Sequence, residues 1–302
     1  MGGGLSRHEL AAAVSAAGGL GTIAVNGARR IEQELAAARA LTDRPIAVNL
    51  LLPFARPAWF AAAAQADVVI TFWGAPERRT PGVWIHQCGS AGEARAAHAR
   101  GADALILQGV EAGGHVRGKV AALDLLEQMR AELPSAFPLF LAGGIAERRD
   151  VREALDAGAS GAVAGTRFLL SEESHAHPGY MQRLLSADET ILTELFGAGW
   201  PAPHRVLRNA ATDHWLGANP RGPTLNRALN RLTAIGARYI PETAQKRIAL
   251  AQRPDSRLLS PAGPTDDGPE TLVEAGPLYA GQTVARIHDV RPAADLVHTL
   301  TP

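Results

Sequence analysis

Between residues 20 and 165, short apolar runs alternate with stretches of helical periodicity. Residues 20–25, 45–51, 67–73, 83–87, 103–108, 138–142 and 161–165 read as strands, each a brief apolar run bounded by glycine, proline or polar residues. Residues 31–41, 57–65, 91–100, 123–132 and 149–157 read as the intervening helices. Ahead of the series, Ser6 is placed to cap a helix that Gly18-Gly19 ends, with Glu9 completing a capping box. Apolar strands alternating with helices imply a parallel sheet with helices outside. The series opens on a loop and a helix, so the expected fold is an α/β (βα)8 TIM-like barrel that lacks its first strand. An open doubly wound sheet is the competing topology.

The pattern changes after Phe168. Residues 171–185 look helical with interruptions, 197–203 form a glycine- and proline-rich loop, and 225–238 and 244–252 look helical. Residues 260–269 form a loop of proline, glycine and aspartate, and 278–282 lead into a last amphipathic helix. The expected organisation is a barrel over 1–167, a helical cap or insertion over 168–270, and a segment over 271–302 that returns to the barrel.

Composition narrows the function classes. The 302 residues are 46% hydrophobic, enough for a sizeable core, and 30 basic residues balance 30 acidic ones. Nucleic acid and anionic membranes call for concentrated positive charge, so neither is an expected partner. A single cysteine, Cys88, excludes an internal disulfide and any multi-cysteine metal site, and it suits a reducing compartment. With no apolar run of membrane-spanning length and no signal-peptide pattern, a cytoplasmic location is expected.

The candidate chemistry lies where strands end. The run 105–108 breaks into Gly109-Val110-Glu111-Ala112-Gly113-Gly114-His115, a glycine-rich loop carrying a histidine, where a parallel barrel keeps its reactive groups. Gly143-Gly144 follow the next strand and Gly165-Thr166 the last. These consecutive loops can offer backbone N–H groups to a phosphate. Asn49 and Gln108 interrupt apolar strands and can read the polar edge of a planar heterocycle, with Gln87 a weaker third amide. His86 is expected to face the helix layer, and Glu111 is a candidate to cap or orient the His115 loop. His175 and His177 lack acidic or cysteine partners at ligand spacing, so no metal is expected. The five tryptophans are read as packing the core and cap.

Together these segments resemble the nitronate monooxygenases, FMN-containing barrels formerly called 2-nitropropane dioxygenases. The resemblance rests on residues 9–21, Val-Asn-Leu at 48–50, Gln-Gly-Val-Glu-Ala-Gly-Gly-His at 108–115 and Ala-Gly-Gly-Ile at 142–145. Gly-Thr-Arg-Phe-Leu at 165–169, Glu-Glu-Ser at 172–174 and Pro-His-Arg-Val-Leu-Arg at 203–208 support it. It implies that Asn49, Gln108, Gly113 and Gly114 contact a flavin, and that Gly143, Gly144, Val163, Ala164, Gly165 and Thr166 hold its phosphate. It further implies that His115 is the active-site histidine and that Tyr279 lies near the substrate. Where the family usually has Gln followed by Met or Leu, this chain has Val163-Ala164, which removes one side-chain contact. The family's first strand has no counterpart, so two strand edges would stay unpaired unless a strand lies upstream.

The implied reaction is FMN-dependent oxidation of a small alkyl nitronate by dioxygen to a carbonyl compound and nitrite. His115 would act as base for a neutral nitroalkane or, protonated, steady the nitronate anion. The alternatives are an NAD(P)H-dependent flavin reductase of quinones or enoyl thioesters, and a non-catalytic flavin-binding protein. Oligomeric state is left open, a homodimer being one option.

Overall fold

A computed structural model of the chain describes residues 2–237 and 247–302. The expected helix ends at Arg238 and at residues 244–246 lie outside the described residues. The chain divides into two compact units, one of residues 1–112, 117–174 and 289–302, the other of residues 113–116 and 175–288.

The first unit holds seven parallel strands: β1 (Gly21–Ile23), β2 (Ile46–Leu51), β3 (Val68–Phe72), β4 (Val83–Cys88), β5 (Ala104–Gln108), β7 (Leu139–Ala142) and β8 (Gly161–Val163). The β6 label falls to a strand of the other unit, Gly114–His115. Strand order in space follows order in sequence, β1-β2-β3-β4-β5-β7-β8. A doubly wound sheet reverses direction at a switch point. This one never does, and its curl is that of a barrel with one strand fewer than eight. Helix α1 (His8–Ala16) precedes β1, and α2 (Ala28–Leu41), α3 (Pro57–Ala63), α4 (Ala91–Ala99), α5 (Ala122–Glu132) and α6 (Arg148–Asp156) lie between successive strands, β3 and β4 being joined without a helix.

Period-two alternation sorts the strand residues into two layers. Ala47, Ile70, Ile85, Ala104, Ile106 and Ala142 pack with one another on the inner face. Trp84, Cys88, Leu105 and Leu107 alternate with them and meet Leu125, Leu126 and Met129 of α5 on the outer face. On that outer face the Trp84 indole N–H donates to Thr71 Oγ1 at 2.8 Å, and Thr71 Oγ1 bonds His86 Nδ1 at 2.8 Å. This accounts for a histidine only 1% exposed among apolar neighbours.

Ser6 does not cap α1. The cap residue is Arg7, with no side-chain cap bond. The Ser6 hydroxyl instead donates to Thr22 O at 2.7 Å, while Gly4 N–H donates to Ala24 O and Ala24 N–H to Ser6 O. An outer-edge carbonyl of β1 thus outcompetes the helix N–H groups for Ser6, and residues 4–6 occupy hydrogen-bonding groups that would otherwise face solvent.

The second unit holds a sheet that the expected helical cap or insertion over 168–270 did not include. It contains an antiparallel sheet of order β6-β10-β9, in which β9 is Ile191–Thr193 and β10 is His204–Val206. His204 pairs with His115 on one side and Thr193 on the other. Helices Pro178–Leu185, Ala210–Trp215, Thr224–Ala237 and Thr271–Ala275 also belong to this unit, and residues 247–250 are helical. Residues 171–177 are not helical: Ser171 bridges Arg291, and the helix begins only at Pro178. The expected closing helix is a 3-10 turn, Gln282–Arg286, followed by the helix Ala293–Leu300 in the first unit. Among the described residues no helix is long and apolar enough to cross a membrane.

Candidate active site

In the first unit, Asn49, Gln87 and Gln108 share alternation parity with Ala47, Ile85 and Ile106, which places all three amides on the inner face at the carboxyl ends of β2, β4 and β5. Barrels present ligands at that end of the strands. Gln108 is 3% exposed, and its Oε1 accepts the Arg117 backbone N–H at 2.8 Å. Arg117 in turn pairs with Glu93, and its guanidinium lies 5.1 Å from the centre of the Trp73 ring. Trp73 has φ +65°, the positive value that a bulky side chain resists. Asn49 Oδ1 is shielded from solvent and has no hydrogen-bond partner among the described residues.

The turn after β7 runs through Gly143 (φ +118°) and Gly144 (φ +76°), a left-handed pair that only glycine adopts freely. A Cβ on Gly143 would also stand 3.2 Å from Ala112 N. After β8, a Cβ on Gly165 would enter open space, Val163 is exposed, and Thr166 is buried at the start of the short helix Thr166–Leu169. Glu111 Oε1 accepts the Ala122 N–H at 2.9 Å, so this carboxylate caps α5. Cys88 is fully buried, and burial pushes its thiol above the ordinary range, which disfavours the reactive thiolate.

In the second unit His115 lies on β6, a strand rather than the expected loop, flanked by aromatic rings. The Trp200 indole stacks face to face on its imidazole, with centroids 3.6 Å apart and planes 15° from parallel. His204 lies at 5.3 Å and Tyr279 at 5.5 Å, both tilted. Gly113 is required here for packing, since a Cβ would lie 2.6 Å from the Ala280 backbone, whereas Gly114 (φ +75°) has open space beside it. His204 is fixed as a neutral tautomer: Nδ1–H donates to Ala202 O at 2.9 Å and Nε2 accepts the Phe196 N–H at 3.1 Å. The Tyr279 hydroxyl donates to Pro261 O at 2.5 Å, and the Tyr180 hydroxyl to Tyr279 O. Burial raises both phenols. His115 Nε2 is shielded from water, and that burial, with His204 beside it, holds the imidazole well below the usual histidine range. At neutral pH the ring carries no charge.

Sequence alone gave Trp200 and Trp73 only a packing role, and it placed neither His204 nor Arg117 in the site. A histidine–tryptophan stack between distant segments leaves no local pattern to find. His175 pairs with Asp266 at 2.8 Å, and His177 Nδ1 accepts the Gly179 N–H at 3.1 Å, a helix cap. Among the described residues one group brings metal-type ligand atoms together, His8, Glu9 and Glu34, with Arg30 3.8 Å from Glu34.

Burial lowers His86 and His204 to about 4. In the unfolded chain both titrate near 6.5. Below that pH the unfolded state binds protons that the folded state refuses, so stability is full above about 6.5 and falls toward pH 4. The loss is about 1.4 kcal/mol per pH unit for each histidine. Urea midpoints measured across this window are expected to drop steadily, and a flat profile would contradict the burial of both rings.

The nitronate monooxygenase family model matches residues 1–71 and 75–302. The chain belongs to the nitronate monooxygenase family. As a member it is an oxidoreductase. A nitronate monooxygenase of Pseudomonas aeruginosa is 32% identical over 270 residues, covering 69% of this chain and 76% of its own. A (3aS,4S,5R,7aS)-5-hydroxy-7a-methyl-1-oxo-octahydro-1H-indene-4-carboxyl-CoA dehydrogenase of Mycobacterium tuberculosis is 29% identical over 327 residues, covering 97% of this chain and 88% of its own. Among solved structures, a nitroalkane oxidase from Streptomyces ansochromogenes superposes with a TM-score of 0.75 at 27% identity, over 99% of this chain and 92% of that one.

Proposed function

We propose that this nitronate monooxygenase family member uses FMN to oxidise small alkyl nitronates with dioxygen, yielding a carbonyl compound and nitrite. The observation that carries the reading is the imidazole of His115, flanked by the rings of Trp200, His204 and Tyr279 with its Nε2 shielded from solvent, in a chain whose relatives include nitronate and nitroalkane oxidases.

The residues of the first unit fit a flavin. Asn49 Oδ1 is a buried acceptor in need of a donor, and the edge of an isoalloxazine carries an N–H. Gln108, held by Arg117, supplies a second oriented amide. The glycine turns at 143–144 and 165 carry no side-chain bulk at the two consecutive strand ends where a barrel takes a phosphate. When bound, FMN supplies the electron acceptor and its reaction with dioxygen. The protein supplies orientation, exclusion of water and one proton-handling group.

A nitronate arrives already deprotonated, so it asks nothing of a weak base. A neutral nitroalkane must lose its α-proton, and an imidazole whose basicity burial has lowered removes it slowly. Nitronates are therefore the preferred substrates, with Tyr279 lining the substrate side through its ring, since its hydroxyl is committed to Pro261 O. Oxygen uptake and nitrite release from propane-2-nitronate test the proposal, and both are expected to exceed the rates with 2-nitropropane.

The relative matched over 97% of this chain is by name a dehydrogenase of a CoA thioester, which favours thioester redox chemistry as the second reading. Flavin reduction by NADH with no nitrite from the nitronate would select it.

A further inference from the structure

We propose that Trp200 is a positioning residue for His115: its indole fixes the imidazole plane and offers a π face to the positive charge that the ring acquires when it takes a substrate proton. This rests on the proposed oxidation above and extends it to neutral nitroalkanes.

Neutral aromatic rings favour offset or edge-on contact over a close parallel sandwich. The His115–Trp200 pair is close and nearly parallel, at 3.6 Å and 15°, the arrangement that gains when one ring becomes a cation. The loop carrying Trp200 is held in place. Gly199 N–H donates to Thr233 Oγ1 at 3.0 Å, Ala198 N–H to Leu259 O at 3.1 Å, and Pro201 and Pro203 stiffen the exit. A Cβ on Gly197 would meet Asn230 Nδ2 at 2.8 Å, so this loop lies flush on the helix Thr224–Ala237.

The titratable groups facing His115 do not supply that stabilisation. His204, from β10, has both ring nitrogens engaged and stays neutral. The Tyr279 hydroxyl keeps its proton and donates it in a hydrogen bond to Pro261 O, and burial pushes the phenol up. On β10, Arg205 alternates away from His204 and donates to Thr190 Oγ1 at 3.3 Å, and Glu194, just past β9, is paired with Arg227 at 2.9 Å. Of the three ring contacts described for His115, the stacked indole is the one whose interaction strengthens on protonation. In the step itself the α C–H bond breaks, its electron pair moves into the nitro group to give the nitronate, and the proton forms an N–H bond on the imidazole.

The test uses Trp200→Leu and Trp200→Phe in the full-length protein carrying its own cofactor. For each, kcat/KM is measured with 2-nitropropane and with propane-2-nitronate, and the imidazole pKa of His115 is read by NMR, its resonance assigned by loss in His115→Asn. Trp200→Leu is expected to lower the nitroalkane-to-nitronate ratio about tenfold, and Trp200→Phe to restore part of it. The imidazole pKa falls further in Trp200→Leu, and the acid limb of the nitroalkane pH profile moves to lower pH with it. A purely structural role lowers both substrates alike and leaves the limb in place, which would overturn the proposal. If the wild-type protein oxidises neither substrate, the functional reading fails by itself, and an unchanged pKa in Trp200→Leu would still overturn the indole's role.

Discussion

Replacing His115 with Asn is expected to lower kcat for a neutral nitroalkane by about 10²–10⁴-fold, the usual contribution of a positioned general base. Bound flavin should remain at the wild-type ratio, because His115 is not among the candidate flavin contacts Asn49, Gln108, Gly113, Gly114 and Gly144. The loss with a preformed nitronate is smaller, since no proton has to leave carbon. Asparagine retains a polar side chain on β6 but has no basic nitrogen, and stacking on Trp200 is reduced. Steady-state kinetics with both substrates check this. Equal losses on the two would show that His115 binds the nitro group rather than accepting its proton, and unchanged turnover would remove it from the reaction.

Trp84→Ala is expected to cost about 3–5 kcal/mol of stability, the range for deleting a large buried aromatic. The indole is 1% exposed and packs among Leu105, Leu107 and Met129, so its loss leaves a void that backbone strands cannot close. It also removes the N–H that Thr71 Oγ1 accepts, in a chain that continues to His86 Nδ1. At about 2–4 °C per kcal/mol, the melting temperature should drop by about 10 °C. Trp84→Phe keeps most of the volume and should cost less than half as much. Thermal unfolding followed by circular dichroism reads both, and a drop of only 1–2 °C for Trp84→Ala would mean that the outer layer repacks around the gap.

The barrel was legible because its strands are buried on both faces and therefore appear as short apolar runs such as Val68-Val69-Ile70. The inward amides were legible for a related reason: Asn49 and Gln108 interrupt runs whose parity the flanking Ala47 and Ile106 set. Sequence could not show that Ser6 would prefer Thr22 O to a helix cap, since that choice depends on which β1 groups stand at the sheet edge. The three-stranded sheet was invisible for a stronger reason. Gly114–His115 and His204–Val206 are too short to alternate, and their pairing joins segments far apart in the chain. The aromatic surroundings of His115 come from that pairing and from the turn that presents Trp200, so the histidine could be named while its ionisation state could not. The lowered basicity of His115 follows from its burial and from His204 beside it, both products of the folded arrangement.

The decisive measurement is the visible absorbance of the purified protein mixed with propane-2-nitronate in the absence of oxygen, beside a sample mixed with NADH. Rapid loss of the oxidised-flavin bands with the nitronate, their return on admitting air and nitrite in the solution are the expected result. Flavin bleached by NADH and untouched by the nitronate would contradict nitronate oxidation and assign the site to a reductase.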